Sequence, residues 1–528
     1  MMNIRYFKTI APAAALLLTV GLSSCTGDLD VTPINPNLAL EYDADGLFNK
    51  CYANIALQGN GGANGDCDID GLDGGTTGFI RQMWNSNELT TDEAICGWPD
   101  EGIGSFCYNT YDASHPMLRG YYYRLYAGIT YCNHYLDVAA EDDATMTAEI
   151  RFLRALHYYL AMDAFGNIPF VTTVTSEKAT QYTRAQVFEF IENELKEIEP
   201  ALSEPRVKKS SDSGYGRVDK AAAWLLLARL YLNAEVYTGS AHWSDAASYA
   251  KKVMDSPYGL NKTGAGEYSA YQLLFMADNG ESSATTEAIF PILQDGLTTT
   301  SWGTTLFLIA STSDSDIPTG TSEAWGGNRA RRNLVEKFFP NTEAPAVTKE
   351  EMVKSAGDDR ALFWGEGRSE DATDVSSFKN GFSVAKFTNI RSDGGSTHDA
   401  QFVDTDFFLL RAAEAWLTYA EATARQNGGS MTADGIAAIN ELRTRAHATT
   451  KSSYTLDEIL DEWSREFYFE GRRRMDLIRF GCYSGDKYNW QWKGGSINGA
   501  SFSSDRDIFA IPTTDLTANP NLKQNPGY

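Results

Sequence analysis

Side chains able to break bonds are plentiful in this chain, but they are not spaced for it. Six histidines are present, His115, His134, His157, His242, His398 and His447. None stands in the HExxH spacing that sets two imidazoles on one helical turn around zinc. The chain holds no GxSxG nucleophile elbow, no P-loop and no dinucleotide-binding GxGxxG after a strand. The glycines of GLDGGTTG, residues 71–78, are wrongly spaced to cradle phosphate, and no strand–helix unit encloses them. His157 lies among aromatic neighbours on a helical stretch and reads as a packing residue. The 70 Asp and Glu leave room for a two-carboxylate glycosidase, whose site has almost no local sequence trace. The expectation is nevertheless a protein that binds rather than one that catalyses.

Cys25 is placed for a different chemistry. It closes Leu22-Ser23-Ser24-Cys25, after the apolar run TIAPAAALLLTVGL and the basic Arg5 and Lys8. A basic end, an apolar stretch and small residues before a cleavage point describe an export signal. The apolar stretch is short of the roughly 20 residues that cross a membrane. Leu-Ser-Ser-Cys resembles the bacterial lipobox, in which the thiol takes lipid and becomes the first residue of the mature chain. A signal over 1–24, acyl lipid (palmitate) on Cys25 and a body over 25–528 hung from that lipid are expected. The other six cysteines form no CxxC pair and no zinc pattern. A body this long needs no staples, so most read as buried thiols.

The body must be composite, since single cores stop growing near roughly 250–300 residues. The full chain's net charge of −25, or −27 once Arg5 and Lys8 leave with the signal, excludes nucleic acid as a natural ligand, because phosphates call for a basic face. A polyanionic substrate is disfavoured for the same reason, and a neutral ligand fits better. Helical periodicity appears over Ala148–Phe165, Ala179–Leu202, Val218–Tyr237 and Trp243–Met254, and again over Phe407–Gln426, Thr432–His447 and Leu456–Ile478. Residues 219–254 resemble a tetratricopeptide hairpin, which buries its face by stacking on neighbours. The fold class expected is mainly α: a helical-repeat scaffold over about 115–256 and 405–480. Loop-rich, partly β ligand-binding regions over about 60–110 and 258–402 complete it, where glycine, serine, threonine and aspartate break up the pattern. Long irregular segments in a compact body usually carry function.

Three stretches carry a family resemblance: EIRFLRALHYYLAMDAFGNIPFV (149–171), NELTTDEAICGW (87–98) and SREFYFEGRRRMDLIRFG (464–481). The chain resembles the SusD/RagB family of outer-membrane nutrient-binding lipoproteins over essentially its whole length, and within it the starch-binding member. The resemblance implies a SusD-like fold and a surface protein that captures starch or other α-glucan oligosaccharides. It also implies a SusC-like TonB-dependent transporter as partner and an outer-membrane location facing the exterior. A binder of a different glycan is the first alternative.

The resemblance further implies the site. In the starch binder the glucan lies against an arc of aromatic rings helped by a few polar groups. By local match Trp98 and Trp325 stand at two arc positions, and Trp302 stands where that protein has a tyrosine. Asp73 and Arg81 match polar contacts, and Glu101 replaces an asparagine. All three tryptophans sit in Gly/Ser/Thr-rich stretches outside helical stripes, a context that favours exposure. Glu466, Glu470 and Arg472–Arg474 carry the family signature but are expected to act structurally, through i,i+4 pairs along a helix. No cofactor is required. Some members hold a structural calcium, and Gln294, Asp404 and Asp406 fall near where its ligands are expected; at 278–280 the chain has DNG, with glycine in place of an acid.

Overall fold

A computed structural model describes residues 42–65, 67–140 and 143–528. The export signal and Cys25 lie outside the described residues. Helices dominate. The principal ones are α1 (Ala44–Ala56), α2 (Phe79–Trp84), α3 (Pro116–Val138), α4 (Ala144–Phe165), α5 (Arg184–Ile198) and α6 (Lys220–Leu232). They continue with α7 (Trp243–Met254), α8 (Ala413–Gln426), α9 (Ala433–Arg445), α10 (Leu456–Phe467) and α11 (Arg473–Arg479). Among the described residues no helix is long and apolar enough to cross a membrane.

Local chemistry sets the ends of these helices. The Asp143 carboxylate accepts from the amides of Thr145 and Met146 at the start of α4, and Gly166, at φ +70°, ends it. Thr183 with Gln186 opens α5, and Thr455 with Glu458 opens α10, each as a reciprocal capping box. Helix α4 begins a turn earlier than its apolar pattern suggests. It is buried all round rather than on one face, because α3 and α5 pack on it from two sides.

The helices stack in succession. Helices α3, α4, α5, α6, α7, α8 and α9 each pack against the next. Alanines 221, 222, 223 and 228 on α6 and 246 and 250 on α7 are wholly buried, which lets the 220–254 hairpin close tightly. The chain leaves this stack after α7 and rejoins it at α8. Arg229 on α6 reaches Glu414 on α8 with two hydrogen bonds of 2.6 Å, clamping the stack across the intervening loop-rich region.

That region carries most of the strands, all in two-stranded antiparallel pairs: β1 (Ala94–Cys96) with β5 (Asn328–Ala330), β2 (Ile168–Phe170) with β3 (Thr180–Tyr182), β4 (Ala288–Ile292) with β8 (Phe407–Arg411), and β6 (Phe363–Trp364) with β7 (Ser383–Val384). Two helical expectations are corrected here. Phe407–Arg411 is a strand, fully buried against β4; a continuous apolar run reads equally well as buried helix or buried strand. The stretch Leu456–Ile478 is two helices rather than one, broken at Phe469 (φ +63°) and Gly471 (φ +77°).

The break has partners. Glu88 accepts from the amides of Gly471 (2.7 Å) and Arg472 (3.0 Å), and Glu93 accepts from the amide of Phe469. Asp92 takes Arg473 at 2.8 and 3.0 Å and Lys337 at 2.8 Å. The two most recognisable stretches of sequence are therefore one structural joint. The same joint fixes where β1, and the residues after it, emerge.

The charged signature residues do act structurally, but through long-range pairs rather than the expected i,i+4 ladder. Glu466 is wholly buried and binds Arg360, Arg411 and Arg445. Glu470 binds Arg411 and Lys386, both at 2.7–2.8 Å. Arg472 with Asp476 is the i,i+4 pair that forms. The six described cysteines are free thiols, buried except for the half-buried Cys67. His157 is a core residue, bonded to the Leu153 carbonyl at 2.7 Å and lowered to about 4 by burial.

Candidate functional site

Four stretches distant in sequence meet on one face: 73–81, 94–98, 302–307 and 321–328. Antiparallel pairing of β1 with β5 sets Cys96 opposite Asn328, and the Gly97 amide donates to the Gly327 carbonyl at 3.3 Å. Trp98, just beyond β1, is thereby laid against the strand that follows Trp325. Glycine is required at 327, where a Cβ would lie 2.2 Å from the Trp98 ring. The loop bearing Trp302 is tied to α2 by the Arg81 amide, which donates to the Gly303 carbonyl at 3.1 Å.

The result is a row of three half-buried indoles with Trp325 in the middle. Its ring centroid lies 6.5 Å from that of Trp98 and 6.2 Å from that of Trp302, with planes inclined at 51° and 46°. Tilts of this size rule out a single flat surface. Each indole N–H is held by the protein: Trp98 by the Trp325 carbonyl (3.4 Å), Trp302 by the Ala63 carbonyl (3.0 Å) and Trp325 by Glu323 Oε2 (2.6 Å). The ring orientations are thus set by the protein itself.

Arg81 belongs to this face from behind. It is only 7% exposed, and its guanidinium sits 5.5 Å from the Trp98 ring centre and 4.9 Å from that of Phe307. Its Nη1 donates to the Gly75 carbonyl at 3.0 Å. Burial pushes its pKa down from the ordinary guanidinium value, and the carboxylates of Asp100 and Asp73 oppose that push. Asp73 is exposed at the edge, with its Oδ1 accepting from the Thr76 amide at 2.8 Å. Glu101 is exposed on the turn beyond Trp98. The structure therefore gathers the three rings and Arg81 closely, with Asp73 at the rim, and leaves Glu101 out of any described contact with them.

Several supporting residues have no sequence signal. Phe402 packs under Trp302 at 5.0 Å, and Phe307 under Trp98 at 6.3 Å. Glu323, besides holding Trp325, accepts from Gln401 Nε2 at 2.6 Å. Glu323 stands two residues before its tryptophan, which is a hint; nothing in the sequence pairs it with residue 401.

Gln294, Asp404 and Asp406 also come together, beside the segments that carry Trp302 and Phe402. Asp406 accepts from the Gln294 amide (2.7 Å) and from Tyr215 Oη (2.6 Å), and burial pushes it up to about 7, with Asp295 and Asp404 adding to the push. Asp404 Oδ1 is buried with no hydrogen-bond partner. Gln294 Oε1 is engaged by the Thr304 hydroxyl at 2.8 Å. Oxygen donors short of positive charge fit calcium in kind. Among the described residues no group of three His, Cys, Asp or Glu is gathered to hold a metal, so an ion here would also draw on amide oxygens or water. An acid at 280 would crowd this place, since a Cβ there would lie 2.9 Å from Asp406 Oδ2.

Comparison with known proteins agrees with this architecture. Residues 235–528 match the model described as the SusD family, and residues 37–232 match the model described as starch-binding, associating with outer membrane. A curated relative, the starch-binding protein SusD of Bacteroides thetaiotaomicron, is 41% identical over 100% of both chains. Among solved structures, a SusD superfamily protein of Parabacteroides distasonis has a TM-score of 0.66 at 20% identity, covering 92% of this chain and 98% of that one. Surface glycan-binding protein A of B. thetaiotaomicron, solved with laminarihexaose, has a TM-score of 0.65 at 19% identity, covering 91% and 98%. At those identities the structural likeness speaks for the fold.

Proposed function

The chain belongs to the SusD family, and from that premise we propose that it is a non-catalytic, cell-surface glycan-binding protein. It captures starch and malto-oligosaccharides and passes them to a SusC-like TonB-dependent transporter in the outer membrane. Lipid on Cys25 is its tether to that membrane. The observation that carries this reading is the tilted row of Trp98, Trp325 and Trp302, held by their N–H groups with their faces half-buried.

The chemistry of the ligand explains why such a row is suitable. A glucose ring presents C–H bonds on its faces and hydroxyls around its rim. Large rigid aromatic surfaces cover the faces, while hydroxyls taken out of water must regain partners. Arg81 and Asp73 supply a donor and an acceptor beside the rings, and Glu101 offers a further acceptor at the rim. Rings inclined to one another favour a glucan that curves, as α-1,4-linked chains do, over a flat one. The relative named for starch binding, 41% identical along its full length, supports α-glucan over the alternative of another glycan. Calcium at Gln294, Asp404 and Asp406 is a structural proposal separate from capture.

Calorimetric titration of the chain lacking residues 1–25 with maltoheptaose tests the reading. Removing one ring forfeits roughly the 1.5–3 kcal/mol that burial of a large side chain contributes, about 10- to 100-fold in Kd. Binding by the parent, loss in Trp98→Ala/Trp325→Ala and unchanged sugar by chromatography are expected. Shortened products would instead indicate a glycosidase, and a folded parent that ignores maltoheptaose would redirect the search to other glycans.

A further inference from the structure

Trp325 is the one ring that touches both others, so its angle sets the curvature of the row. Besides those ring contacts, its side chain is tied by a 2.6 Å hydrogen bond from its Nε1 to Glu323 Oε2. The other carboxylate oxygen, Oε1, takes a 2.6 Å hydrogen bond from Gln401 Nε2. Residues 321–323 and 400–401 are joined by backbone as well: the Ser322 amide donates to the Ala400 carbonyl at 2.7 Å, and Thr321 Oγ1 to the Gln401 carbonyl at 2.7 Å. Directly after Gln401 comes Phe402, whose ring supports Trp302 at 5.0 Å. One short segment, 400–402, therefore backs two of the three rings, one through Glu323 and one through Phe402.

We propose that Glu323 and Gln401 form a positioning pair that fixes the angle of Trp325 relative to Trp302, and thereby the preference of the ring row for curved over extended α-glucans. The inference rests on the glucan-binding reading above and deepens it. Neither residue needs to touch sugar. A carboxylate with one oxygen on the indole and one on a carboxamide has a defined orientation, whereas either bond alone leaves it free to swing. A flexible Trp325 still offers apolar surface to an extended chain that adapts to it. A closed ring of glucose units cannot adapt, so it suffers most when the angle is lost.

The test compares α-cyclodextrin with maltoheptaose by titration, with melting curves confirming that each variant is folded. The parent is measured first; if it binds neither sugar, the glucan reading fails and the pair is judged separately, by the fluorescence difference between each variant and its Trp325→Phe counterpart, which isolates Trp325 among the eleven tryptophans. With a binding parent, Glu323→Ala is expected to weaken cyclodextrin about 10-fold, in keeping with loss of a charge-assisted hydrogen bond, and maltoheptaose by much less. Gln401→Glu places two carboxylates together and should show the same skew. Glu323→Gln keeps an acceptor for the indole and lets the Gln401 amide flip, so it should restore the parent ratio. Glu323→Gln/Gln401→Glu, with donor and acceptor exchanged, should restore it as well. An unchanged sugar ratio in Glu323→Ala, or equal weakening of both sugars in all four variants, overturns the proposal. A Trp325 difference spectrum that does not move in Glu323→Ala, whatever the sugar, overturns it too.

Discussion

The ring face and the buried joint of the C-terminal signature use opposite materials. The joint gathers Glu466, Glu470, Arg360, Arg411, Arg445 and Lys386 in the buried interior, each charge answered by another. The ring face is made of uncharged indoles, half in solvent, with Arg81 tucked behind them. The chemically loud residues hold the body together, and the chemically quiet ones are left to meet a ligand. Breaking a buried ion pair strands its partner in a medium of low polarisability, which costs far more than the pair contributes. A ring in contact with a ligand has no such hostage. Stability and binding should therefore be separable by mutation.

Glu466→Ala puts the largest strain on that comparison. It takes one carboxylate from each of Arg411, Arg445 and Arg360 and should cost about 3–5 kcal/mol, a melting temperature lower by about 3–5 °C in a chain of this length. The folded fraction should bind maltoheptaose as the parent does. Acid probes the same joint without mutation. Burial pushes the Glu462 carboxyl up, but Arg360, Arg465 and Arg443 outweigh burial and hold it at about 2. A carboxyl depressed in this way adds stability that is complete above its unfolded value near 4.5, and is lost as pH falls through about 2. Melting temperatures should thus decline steadily between about pH 4.5 and 2, while affinity between pH 6 and 8 stays level, since indoles carry no titrating proton.

On the other side, Trp325→Ala should weaken maltoheptaose about 10- to 100-fold and move the melting temperature by little, because the ring is only half-buried. The smallest effect expected is from calcium. Added at neutral pH, it should raise the melting temperature slightly through Asp404 and Asp406, with chelator reversing the rise and Asp406→Asn abolishing it. Capture by the rings should be indifferent to the chelator.

What could be read from the sequence divides along the same line. Helices with regular apolar spacing, such as α7 and the core of α4, are legible from that spacing, and Gly166 marks where α4 ends. Phe407–Arg411 is not, since five buried residues in a row carry no period. The break at Phe469–Gly471 hides within a helical pattern because its partners, Glu88 and Glu93, lie almost 400 positions away. Resemblance selected the three tryptophans, and their Gly/Ser/Thr settings favour exposure, where the structure leaves them half-buried. Their order in the row depends on the β1–β5 register, which short strands do not announce. Glu101, picked by local match to a polar contact, stands exposed without a described partner, and Arg81, picked on the same grounds, lies mostly buried behind Trp98. Glu323 and Gln401 escape a reading of the sequence because a carboxylate and a carboxamide 78 positions apart leave no local pattern.

The separation of holding from binding is tested most directly by measuring maltoheptaose affinity and melting temperature together on two proteins, Trp98→Ala/Trp325→Ala and Glu466→Ala. The account predicts a crossed result: affinity lost with melting nearly unchanged in the first, melting lowered with affinity of the folded protein kept in the second. Affinity kept in the tryptophan variant, or lost in a still-folded Glu466→Ala protein, would contradict it.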